Sequence, residues 1–92
     1  MKIRELFDSP EKWTIGSGAR NSMGDSVPPT VLAATSWCLL GAVDKCYPSI
    51  AIARPVFDKI YSKIGGTSAT QWNDSTSRTF EDVRKLVVSL DI

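Results

Sequence analysis

The chain contains no histidine. That removes imidazole acid–base chemistry, histidine metal ligands and the serine–histidine and cysteine–histidine nucleophile pairs together. An excess of one charge is also missing: eleven Lys and Arg stand against ten Asp and Glu, a formal charge of +1. Such a balance is far from the electrostatic footprint of a nonspecific nucleic-acid binder and leaves only a local basic patch open. No apolar run approaches the roughly 18 residues of a membrane span; the densest, Trp37 to Val43, is far shorter. The opening Met1-Lys2-Ile3-Arg4-Glu5 has neither an apolar core nor a small-residue cleavage site, which argues against a secretory leader. Only two cysteines occur, Cys38 and Cys46. On a helix their spacing is about 12 Å of rise, beyond the reach of a disulfide, so free thiols in a reducing cytoplasm are expected. Two thiols without histidine also fall short of a zinc set, and neither metal nor cofactor is expected.

What is present suits one small globular domain spanning residues 1–92, with 42% hydrophobic residues and no repeat or linker. Area scaling gives a folded surface of about 5,300 Å² against roughly 14,600 Å² unfolded, enough burial for one core and not for two. Ile3, Leu6 and Phe7 fall at i, i+3, i+4 and predict a short helix over 2–7. Ser9-Pro10 suits the start of a single further turn. Trp13-Thr14-Ile15 with Ala19-Arg20 predicts one strand and Asp25-Ser26-Val27 its hairpin partner. Asn21, Ser22, Gly24 and Asp25 supply the turn, and Pro28-Pro29 ends the second strand.

The apolar run that follows predicts a buried helix from about Ala34 to Cys46. Gly41 within it costs roughly 1 kcal/mol relative to Ala, a cost that a close approach of another backbone would justify. A third helix is expected from Arg54 to Ile64, with Pro55 in its first turn and Gly65-Gly66 as its stop. Thr67 to Arg78 reads as a polar connection anchored by Trp72. Thr79-Phe80-Glu81-Asp82 has the form of a capping box, opening a helix over 80–90. The expected class is α+β, mainly α, with about three principal helices and a small N-terminal β-hairpin. Trp13, Trp37, Phe57, Ile60, Trp72, Val83 and Leu86 are its expected core.

Little here carries chemistry. Gly16-Ser17-Gly18 lacks the third glycine and the following helix of a nucleotide fingerprint. The acids are scattered singly, and Cys38 has no base near it in sequence. The one unusual polar cluster is Trp72-Asn73-Asp74 with Arg78. It reads as Asx turns closing the chain before the last helix, as an internal Asp74–Arg78 ion pair, or as a polar pocket for an anion or nucleotide-like ligand.

Three pieces then line up: Trp13-Thr14-Ile15-Gly16 with Ala19-Arg20, Trp37-Cys38 with Gly41-Ala42, and Trp72-Asn73-Asp74 with Arg78-Thr79 and Val83. Their order and spacing resemble a family of small uncharacterised proteins from bacteria and their phages. Its pattern runs W-T-x-G-x-x-A-R, W-C-x-x-G-A and W-N-D-x-x-x-R-T-x-x-x-V. The resemblance implies a shared fold and no activity. It puts Arg20, Trp37, Cys38, Asn73, Asp74 and Arg78 on motif positions. Arg20, Asn73, Asp74 and Arg78 are therefore the candidate ligand- or partner-binding residues, and no catalytic residue is assigned. The expectation is a small non-enzymatic, cytoplasmic binding protein, phage-encoded in one version, that engages a host protein or sequesters a small anionic or nucleotide-like ligand. The alternatives are a nucleic-acid-binding module built on Arg54, Lys59, Lys63, Arg84 and Lys85, and an enzyme acting on a phosphorylated or nucleotide substrate. Self-association stays open.

Overall fold

Ile3, Leu6 and Phe7 are all buried, and their spacing makes the first helix, α1 (Ile3–Leu6). A single 3-10 turn over Pro10–Lys12 follows, with proline at its first position. This computed structural model describes residues 1–92. The remaining elements are β1 (Ala19–Asn21), β2 (Ala34–Trp37), α2 (Leu39–Cys46), α3 (Ile50–Lys63), α4 (Ala69–Asn73) and α5 (Phe80–Leu90). The class is α+β and mainly helical, with a two-stranded antiparallel sheet near the N-terminus. The accessible surface, 5222 Å², matches what area scaling gives for a single core. No helix is long and apolar enough to cross a membrane.

The strands correct two expectations. The turn at Asn21–Asp25 forms as its composition dictates: the Asn21 side-chain oxygen accepts from the backbone N–H of Met23 and of Asp25, both at 3.0 Å. Ser26 meets Arg20 in a single bridge, and the Val27 N–H reaches Ala19 O at 3.0 Å. The regular ladder partner of β1 is β2 instead, with Ala19 opposite Trp37, Arg20 opposite Ser36 and a bulge before Asn21 opposite Ala34. Trp13 and Thr14 leave β1's line altogether. They lie along the other edge of β2, where Thr14 N–H donates to Trp37 O at 3.0 Å.

The helix expected from Ala34 consequently starts at Leu39. Ala34 to Trp37 are held extended by β1, and Cys38 keeps extended geometry as the N-cap of α2. Its sulfur accepts the Gly41 N–H at 3.2 Å. Gly41 does sit against another backbone. A Cβ built there would lie 1.9 Å from Gly18 O, so only glycine lets α2 pass the 16–18 loop.

Two more boundaries move. Helix α3 begins a turn before Arg54, at Ile50 behind the Ser49 N-cap. Pro55 therefore lies in its second turn, where the missing N–H leaves Ala51 O without its helical donor. The 67–78 connection contains α4, whose Ser68 N-cap accepts the Gln71 N–H at 3.1 Å. Helix α5 follows the sequence reading residue for residue. Asp82 N–H donates to Thr79 Oγ1 at 3.2 Å and Thr79 N–H to Asp82 Oδ2 at 3.1 Å.

The core is built where α1, α2, α3 and α5 meet, around Ile3, Phe7, Leu39, Val43, Ile60, Val83 and Val87. Trp37 is buried as expected, whereas Trp13, Phe57 and Trp72 are half-buried and pack on the core's rim. The two chain ends are stitched together. Arg4 N–H donates to Ile92 O at 2.9 Å, and Lys2 and Arg4 both reach the Asp91 carboxylate. Arg84 turns inward and donates to Arg4 O and Phe7 O, satisfying carbonyls at the end of α1.

Candidate functional site

The three sequence motifs converge on one side chain. Asn73, the last residue of α4, is completely buried (0% exposed). Its oxygen accepts from Trp13 Nε1 at 2.7 Å and from the first backbone N–H of α2, Leu39, at 3.0 Å. Its amide nitrogen donates to Thr14 O at 3.2 Å and to Asp74 Oδ1 at 2.8 Å. All four hydrogen-bonding positions of the amide are thus filled from within the chain. Asp74 Oδ1 also accepts the Gly16 N–H at 3.2 Å. The side chain of Asn73 joins the Trp13 segment, the start of α2 and the end of α4 into one polar knot.

Arg20 is equally occupied. Its Nε donates to Thr14 Oγ1 at 3.0 Å and its two terminal nitrogens to Gly24 O at 3.0 Å and Ile15 O at 3.1 Å. The guanidinium clamps the 14–16 segment to the hairpin turn. Arg20 and Arg78 do not share a site.

Beside the knot lies a small cavity of about 150 Å³, lined by Gly16, Gly18, Cys38, Thr70 and Asp74 among others. Burial pushes the Cys38 thiol above its ordinary range, against the lowering effect of the Gly41 and Leu40 N–H groups, and the nearby Asp74 charge raises it further. The sulfur is a neutral thiol at pH 7 rather than a thiolate nucleophile. Cys46, also free, is raised by its burial. No three Cys, Asp or Glu side chains come together in a way that could hold a metal ion.

Arg78 belongs to a different surface. The Asp74–Arg78 ion pair, one of three readings of this cluster, does not form: Arg78 Nε donates to Trp72 O at 2.8 Å, its guanidinium lies 3.8 Å from the centre of the Trp72 ring, and its terminal nitrogen is 3.8 Å from Asp82 Oδ2. Stacking on the indole faces the cation's flat side inward and leaves its rim to solvent. A cleft of about 360 Å³ opens here between the end of α3, α4 and α5. It is lined by Lys63, Trp72, Arg78, Asp82 and Lys85 among others. A flatter hollow of about 440 Å³, carrying Lys59, adjoins it through Lys63. Neither Lys63 nor Lys85 makes an ion pair within the chain. Sequence reading had these lysines only as members of a broad basic face. That face is broken because Arg84 points into the protein, and the signal that marks the cleft is the convergence of α3's last turn on the Arg78 side of α5.

The molecule is thus a small α+β domain in which Trp37, Cys38 and Asn73 of the motifs are buried, while Arg78 stands with Lys63 and Lys85 at an aromatic cleft. The chain belongs to a family of unknown function (DUF6197), which matches residues 2–88. No curated protein and no solved structure matches it.

Proposed function

We propose that this chain is a small non-enzymatic binding protein and that the Trp72 cleft takes an anionic, phosphate-bearing or nucleotide-like group. The observation that carries this reading is the set of three cations, Lys63, Arg78 and Lys85, against one carboxylate, Asp82, around a half-buried indole. Arg78 is already oriented by Trp72, so its outward N–H groups are offered to an anion without a further ordering cost. The inward turn of Arg84 favours such a local ligand over an extended nucleic-acid track. The motif resemblance to small proteins of bacteria and their phages supports a bacterial or phage-encoded origin. In that setting the anion belongs to a host metabolite or to an acidic or phosphorylated segment of a host protein. Two free thiols support a reducing, cytoplasmic working place.

Calorimetric titration with adenosine diphosphate and with inorganic phosphate tests the proposal. Saturable binding is expected, and Lys63→Ala with Lys85→Ala should weaken it by about tenfold or more at unchanged melting temperature, since each lost charged hydrogen bond is worth about 1.5–3 kcal/mol. Binding that survives the double substitution, or no binding by either probe, would remove the cleft from consideration.

A further inference from the structure

Helix α3 carries a second, unpartnered face. Ile50, Arg54, Phe57, Asp58 and Tyr61 follow i, i+4, i+7, i+8, i+11 and form one stripe along it, beside the ridge of Ala53, Val56 and Ile60 that packs into the core. With Leu40 of α2 this stripe lines a shallow groove of about 380 Å³. Ile50 is 81% and Tyr61 41% exposed, an apolar exposure that a surface helix does not need for its own packing. Lys59 and Lys63 sit on the opposite flank, and Asp58 alone is shared between the stripe's groove and the hollow that carries those lysines.

The charges on the stripe name its occupant. Arg54 and Asp58 are opposite in sign, one turn apart, and neither makes an ion pair within the chain. Their order, basic residue first, is the weaker one for pairing along a single helix. We infer that the α3 stripe binds a second copy of this chain in antiparallel, two-fold symmetric fashion. In that arrangement residues whose numbers sum to about 111–112 face each other. Arg54 then lies beside Asp58 of the second copy, and Asp58 beside its Arg54. Ile50 meets Tyr61 of the second copy, and the two Phe57 side chains lie near the axis. A parallel pairing instead sets Arg54 against Arg54 and Asp58 against Asp58. One stripe is self-complementary in only one direction. A face 14 residues long is about 21 Å, which puts the contact at the small end of specific interfaces and makes the dimer concentration-dependent.

Light scattering across micromolar to millimolar protein tests this. The mass of the unaltered chain should rise from 10.1 kDa toward twice that value. Arg54→Glu or Asp58→Arg alone should weaken association by at least about tenfold, because symmetry counts each changed pair twice. The combined swap re-creates both pairs with reversed polarity and should restore it. Both positions are exposed, and an unchanged helical circular dichroism spectrum separates lost association from lost folding. A mass of 10.1 kDa at every concentration, dimers indifferent to the single changes, or no rescue by the swap would each overturn the inference. None of these outcomes depends on Lys63 or Lys85, so the anion cleft stands or falls separately.

Discussion

A buried amide that fills every hydrogen-bonding position at once is a structural investment concentrated in a single residue. Asn73 satisfies the indole N–H of Trp13 and the first N–H of α2, two donors that would otherwise be enclosed without partners. Asn73→Leu keeps the volume and removes the partners. Unsatisfied buried groups cost about 1–3 kcal/mol each, so the variant should lose about 3–5 kcal/mol. Urea denaturation read by tryptophan fluorescence should show that loss as a lower midpoint at an unchanged slope. A shift of a few tenths of a kcal/mol would mean that water or a rearranged Thr14 segment replaces the amide. The residue types at this knot were visible in the sequence as W-N-D, but its partners were not. Trp13 lies 60 residues upstream of Asn73 and Leu39 lies 34, and nothing in local spacing announces such a meeting.

At the scale of elements, helix boundaries were legible wherever the deciding interactions lie within one turn of chain. Helix α5 is bounded by Thr79 and Asp82 bonding to each other three residues apart, a contact written directly in the sequence. Helix α3 shows the opposite case. Pro55 suggested a start near Arg54, because proline is comfortable in a first turn. Instead the helix starts behind the Ser49 N-cap, with Ala53 buried in its added first turn, which carries the proline into its second turn. Pro55→Ala should return the missing N–H to Ala51 O. It gives up the proline's restraint on the unfolded chain, worth about 0.4–1 kcal/mol, against a helix-interior penalty of about 3 kcal/mol. A net gain of about 2 kcal/mol in thermal or chemical unfolding is expected. A destabilised variant would show that the proline's restraint on the unfolded chain outweighs the missing hydrogen bond.

The whole molecule has an alkaline weakness set by its thiols. Burial raises both Cys38 and Cys46 above their ordinary range, so the unfolded chain releases these protons first. Stability from this source is complete below the unfolded thiol value, about 8.5, and falls as pH rises through and beyond it. Tyr47, raised chiefly by burial, extends the decline at pH above about 10. Denaturation midpoints should hold from neutral pH up to about 8.5 and drop above it, and Cys46→Ala should flatten part of that drop without removing the Cys38 N-cap of α2. A flat profile in the unaltered protein would place both thiols in contact with solvent.

By itself the sequence determined the class of the fold, the hairpin turn, the last helix with its caps and the free thiols. Each of these rests on composition, on periodicity or on contacts within a few residues, where chain connectivity alone brings the partners together. Only the tertiary structure decided that Ala34 to Trp37 is a strand, since its extended state is held by hydrogen bonds to β1 and the Trp13 segment rather than by its own residues. It also decided that Asn73 and Arg20 spend their polar groups inside the molecule. Arg78 was drawn away from Asp74 onto Trp72 and Asp82, beside lysines from two other turns of helix. Those pairings depend on which distant surfaces pack together, and packing is settled by burial of the entire apolar set rather than by any local pattern.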